Sequence, residues 1–73
     1  MTENWKRIFF AKDLYQVKIA EDVLKQNGIE SHIINKQNSA IPSIGVVELY
    51  APNVKAEKAI EILEKYDIKE KVE

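Results

Sequence analysis

Along this chain the spacing of apolar positions switches between two residues and about 3.6, and each switch marks an element. Residues 45–52 open on Gly45, alternate along Val46, Val47, Glu48, Leu49 and Tyr50, and end at Pro52, with Asn53 following. That pattern predicts a strand leading directly into a helix. Val47, Leu49 and Ala51 then share one face, and Val46, Glu48 and Tyr50 share the other. Residues 5–11 are aromatic and β-branched and predict an earlier strand. Phe9 and Phe10 are adjacent there, so one of them faces away from a core that covers a single side. Asp13 is placed to cap a helix, with Gln16 three residues later completing a capping box. Over residues 14–27, Tyr15, Ile19, Ala20, Val23 and Leu24 fall on one side with Val17 at the flank, and Lys18, Glu21, Asp22 and Lys25 fall opposite. Gly28 suits the left-handed residue that ends such a helix.

Residues 29–35 predict a second strand, with Ile29, Ser31 and Ile33 on one face and Glu30, His32 and Ile34 on the other. Residues 36–44 are too long for a tight hairpin and form a loop. Asn53 is placed to cap a second helix over residues 54–66, with Ala56, Ala59, Ile60, Leu63 and Tyr66 as its apolar stripe. Residues 1–4 read as a disordered lead. Residues 67–73 alternate charge and are compatible with a frayed helical extension, a weak fourth strand or disorder.

The order strand, helix, strand, strand, helix predicts an α+β two-layer sandwich of ferredoxin-like type, β-α-β-β-α(-β), with a small sheet and both helices on one face. A single domain spans residues 5–66. The third strand is expected in the middle, with the first strand parallel beside it and the second antiparallel on its other side. If the tail does not pair, the first strand is an open edge.

Composition narrows the function classes. A chain of 73 residues is one domain that buries only about 60% of its unfolded surface, so a partner would add to a thin core. Eleven basic and twelve acidic residues give a net charge of −1 with the signs interspersed, whereas nucleic-acid binders usually carry a basic face. With no Cys, disulfides and thiolate metal sites are excluded. The apolar run at residues 8–11 is too short for a signal peptide or a membrane span. The reading is a soluble, cytoplasmic protein with no membrane association.

Candidate chemistry is sparse. His32 is the lone histidine, and a metal needs two or more converging ligands. Ser31, Ser39 and Ser43 lie near it in sequence but form no nucleophile motif, so neither catalysis, cofactor nor metal is assigned. What stands out is the sheet face that the helices leave uncovered, expected to carry Phe9, His32, Ile34, Val46 and Tyr50, with Trp5, Arg7 and Glu48 nearby. An apolar patch of that size marks an interface, unless the tail or the loop folds across it. Arg7 and Glu48 could pair across neighbouring strands. The loop offers Lys36, Gln37, Asn38, Ser39 and Pro42 as binding residues. The expected function is a non-enzymatic binding or regulatory module that meets a protein partner or a second copy of itself. A small-molecule ligand is the alternative. An RNA-binding module is another, because aromatic sheet faces stack bases.

The runs Glu48-Leu49-Tyr50-Ala51-Pro52 before a helix, Gly28-Ile29 through Asn35 after one, and residues 11–20, from the end of the first strand into the first helix, carry a resemblance. The chain resembles a small bacterial family described as a putative prokaryotic signal-transducing protein, whose members show a Gly-Ile, an Asn near the end of the second strand and a Glu-Leu-aromatic-Val-Pro signature. The resemblance covers residues 8–63. It implies a ferredoxin-like fold akin to the PII nitrogen-regulatory proteins, and with it a small-molecule or nucleotide sensor as an alternative function. The chain departs from the family at Gln16, where a Glu is common, and in its short central loop, so the resemblance carries no ligand site onto that loop.

Overall fold

The computed structural model describes residues 4–37, 40 and 45–68. The expectations for residues 1–3, for Asn38, Ser39 and Pro42 of the loop, and for the tail beyond Ile68 lie outside the described residues. The elements are β1 (Trp5–Ala11), α1 (Leu14–Gln26), β2 (His32–Asn35), β3 (Val47–Pro52) and α2 (Asn53–Lys65). The sheet order is β1-β3-β2. Both helices contact each other and the same side of the sheet, where Val47, Leu49 and Ala51 are completely buried. This is the expected two-layer α+β arrangement in the order β-α-β-β-α.

The direction of β1 departs from expectation. β1 pairs antiparallel with β3, and β2 does the same on the other side. α1 carries the chain back, so β1 and β2 run the same way, and β3 inserts between them after reversing direction. The parallel relation therefore belongs to the two outer strands, which are not paired with each other, and not to β1 and β3.

β1 contains a bulge. Arg7 faces Tyr50 and Phe9 faces Leu49, which leaves Ile8 as the extra residue. Ile8 and Phe9 both enter the core, at 6% and 2% exposure. The insertion resets the alternation, so Phe10 instead of Phe9 shares a face with Trp5 and Arg7. The placement of Phe9 on the uncovered face is thereby overturned.

Each helix buries a stripe slightly rotated from the expected one. In α1 the buried positions are Val17, Ala20 and Leu24, spaced i, i+3 and i+7, while Tyr15 points to solvent. In α2 they are Ala56, Ala59, Ile62 and Leu63, with Ile60 packed at the margin and Tyr66 half exposed. Each stripe mixes alanine with larger aliphatic side chains, Ala20 with Val17 and Leu24 in α1, and Ala56 and Ala59 with Ile62 and Leu63 in α2.

The helix ends are set locally. Asp13 accepts the Tyr15 N–H at 2.9 Å and so caps α1. Asn53 is the first residue of α2, and the cap position is taken by Pro52, whose φ of −56° and ψ of 142° suit the turn from strand to helix. At the other ends the two helices close identically. After α1 the Gly28 N–H reaches the Lys25 carbonyl and the Ile29 N–H reaches the Leu24 carbonyl. After α2 the Asp67 N–H reaches the Glu64 carbonyl and the Ile68 N–H reaches the Leu63 carbonyl. Both are Schellman closures, with Gly28 at φ 77° and Asp67 at φ 62° as the left-handed residues. Because the Ile29 N–H is spent on this closure and its side chain is buried, β2 starts only at His32, later than its sequence pattern suggests.

Candidate functional site on the outer sheet face

The face of the sheet away from the helices is organised in rows across β3. Tyr50 stands between Arg7 and His32, and Glu48 stands between Phe10 and Ile34. Trp5 faces Pro52 at one end. At the other end, the Lys36 N–H donates to the Val46 carbonyl at 2.9 Å, which continues the ladder one step past β2. His32, Ile34, Val46 and Tyr50 are thus on or beside this face as the alternation indicates, and Phe10 takes the place expected for Phe9.

Glu48 is the centre. It is only 5% exposed although it lies on the side away from both α1 and α2. Arg7 Nη1 donates to its Oε2 at 2.9 Å. Lys36 Nζ lies 3.1 Å from its Oε1, and the Tyr50 hydroxyl donates to the same oxygen at 3.0 Å. Burial pushes the Glu48 carboxyl up, but hydrogen bonds from Arg7, Lys36 and Tyr50, with the charge of Lys36, outweigh it and hold the group below the usual carboxylate range. An ionised carboxylate with three donors is a structural anchor and a poor proton acceptor near neutral pH.

The anchor positions its partners. The Arg7 guanidinium carbon sits 4.5 Å above the centre of the Phe10 ring, a cation–π contact on the same face. Roughly half of each cationic side chain remains in solvent, 48% for Arg7 and 57% for Lys36. Trp5 and His32 reach toward each other across β3, with ring centroids 4.7 Å apart and planes tilted by 55°. His32 Nε2 is 3.7 Å from Glu30 Oε2 at the exposed margin.

Lys36 is also fixed through its backbone. Gly45, at φ 96°, passes so close to Lys36 that an added Cβ would collide with the Lys36 carbonyl oxygen and stand 3.1 Å from the Gln37 Cα. Asn35 Oδ1 accepts the Gln37 N–H at 2.8 Å, and Gln37 Nε2 donates to the Lys12 carbonyl. Of the loop residues singled out in sequence, Lys36 joins the site and Gln37 ties the loop to the end of β1.

Two relations escaped the sequence pattern, the choice of Phe10 as the outward ring and the pairing of the loop candidate Lys36 with Glu48. Phe10 could be found only by knowing the bulge. Lys36 could be suspected from Glu48 itself, since a carboxylate between Val47 and Leu49 in a central strand needs cations, and Lys36 flanks the strand that pairs there. Among the described residues, no group of three or more His, Cys, Asp or Glu is placed to hold a metal ion, and no helix is long and apolar enough to cross a membrane.

No curated protein and no solved structure matches the chain. One family profile does, from the start of β1 through the closure of α2. On that match, covering residues 5–67, the chain belongs to the family described as putative prokaryotic signal transducing protein.

Proposed function

We propose that this domain is a non-enzymatic binding module of the bacterial cytoplasm, acting through protein contacts made by its outer sheet face and the segment that begins at Lys36. The observation that carries the reading is the Glu48 cluster. An ionised carboxylate is buried on the side away from α1 and α2, and it holds Arg7 and Lys36 half in solvent among Phe10, Ile34 and Tyr50. Such a mixture of aromatic, aliphatic and anchored arginine side chains is typical of protein interfaces. The family's description agrees with a role in signalling at that coarse level.

Sedimentation and chemical crosslinking of the wild type and of Ile34→Glu test the reading. Ile34 is 42% exposed, so the substitution leaves the core intact while placing an acid on the face. Self-association or partner complexes in the wild type that Ile34→Glu abolishes support it. A strict monomer that captures no partner counts against it. A small-molecule sensor is the second reading, favoured by the same two positioned cations. A thermal shift across a metabolite panel separates the two, because a ligand at 100 times its dissociation constant adds about 2.7 kcal/mol.

A further inference from the structure

The Glu48 cluster holds two cations on one carboxylate, and the surplus positive charge faces outward. We propose that Arg7 and Lys36 form a preorganised site for a single carboxylate, supplied by an acidic side chain of a partner protein. This rests on the reading of the outer face as a protein-contact surface and names the chemistry of the partner.

Geometry supports it first. Arg7 offers five N–H donors and Lys36 three, more than Glu48 alone can take up. Their heads are bound to opposite oxygens of the same carboxylate, at 2.9 and 3.1 Å, so one buried group gathers both cations at one place on the face. Holding long cationic side chains in place normally costs rotamer entropy at the moment of binding. Here that ordering is done within the fold. Glu48 and the Phe10 ring hold the Arg7 head, Glu48 holds the Lys36 ammonium, and the Val46 carbonyl and the close approach of Gly45 fix the Lys36 backbone from which it extends.

Charge selects the ligand. Arg7, Lys36 and ionised Glu48 sum to one positive charge, which one carboxylate neutralises. A phosphate dianion would overshoot to net negative beside the buried Glu48. The flanks are apolar, with Ile34 and Phe10 in the same row as Glu48, so they accept aliphatic neighbours of the acid in a peptide.

The test is an amide NMR titration of the full chain with three probes. They are a blocked Leu-Glu-Leu tripeptide, its Leu-Gln-Leu counterpart and inorganic phosphate, each also titrated against Arg7→Gln and Lys36→Gln. The expected result is saturable shifts at Arg7, Lys36 and Tyr50 with the Glu peptide, weakened about tenfold by either substitution, as removal of one charge-assisted hydrogen bond implies. The Gln peptide and phosphate should bind more weakly. Retained spectral dispersion shows that the variants are folded. Equal binding of the Glu and Gln peptides on this face would overturn the carboxylate site while leaving the protein-contact reading in place. Tighter, saturable phosphate binding would overturn it in favour of a small-molecule anion. Shifts from all three probes that neither substitution alters would overturn it as well.

Discussion

Gly45 passes against the backbone of Lys36 with no room for a side chain between them. The contact joins the start of β3 to the end of β2 and sets where the Lys36 ammonium can reach. Gly45→Ala meets two obstacles, a left-handed backbone at φ 96° and a collision with the Lys36 carbonyl. Gly28→Ala meets only the first, because nothing lies within 4 Å of its added Cβ. Denaturant unfolding should show Gly28→Ala costing about 1 kcal/mol and Gly45→Ala clearly more, with loss of the Lys36 contact visible in its NMR shifts. Equal costs would mean that the close approach carries no weight.

Glu48 links stability to pH. Its folded value lies below the ordinary range, because hydrogen bonds from Arg7, Lys36 and Tyr50 outweigh the effect of burial. A depressed carboxylate stabilises the fold above its unfolded value of about 4.3, and that contribution is lost as pH falls through the lower folded value. Glu48→Gln should therefore destabilise the domain by about 1–3 kcal/mol at pH 7. The gap between wild type and variant should close as unfolding is repeated from pH 5 down to pH 3. A gap independent of pH would remove Glu48 from its proposed role as an ionised anchor.

The bulge at Ile8 separates two neighbouring phenylalanines by function. Phe9 is buried against Leu49, while Phe10 lies under Arg7 on the outer face. Truncating Phe9 to Ala should cost about 3–5 kcal/mol, enough to unfold a domain of marginal stability. Phe10→Ala should leave the domain folded, and its main effect should be on the mobility of the Arg7 side chain. Comparable unfolding by both variants would contradict the assigned register.

Ser31 offers a change in the opposite direction. Among the described residues its buried hydroxyl has no hydrogen-bond partner. Removing an unsatisfied buried polar atom relieves its desolvation cost. Ser31→Ala should be neutral or should raise the melting temperature slightly, and a marked loss of stability would reveal a partner for the hydroxyl.

The sequence made the elements legible because Pro52, Gly28 and Asp13 punctuate them and the apolar period changes at each. The middle place of β3 also followed, from the order of the elements and the crossover between them. Direction within the sheet was misread, because the right-handed crossover through α1 makes β1 parallel to β2, the next strand in the chain, and not to the β3 that inserts between them. The outer face was legible through His32, Ile34, Val46 and Tyr50, whose parity survives in unbroken strands. It failed at Phe9, where one inserted residue inverts every later side chain of β1. Arg7 and Glu48 were recognisable as a pair, but Lys36 read as a loop residue because the ladder continues past the end of β2. The helix stripes were offset for a similar reason. Tyr15 and Tyr66 are apolar by composition, yet each sits at a helix end where the sheet no longer covers it.

The irregularity in β1 also bears on how this small protein survives at high concentration. β1 is the outermost described strand on its side of the sheet, and such strands are natural templates for stacking by other chains. Its hydrogen-bonding rhythm is interrupted in the middle at Ile8, and Lys6 and Arg7 place charge just before the interruption. An incoming backbone would fall out of step across that kink, so the residue that turns Phe9 inward also makes this edge a poorer template for stacking.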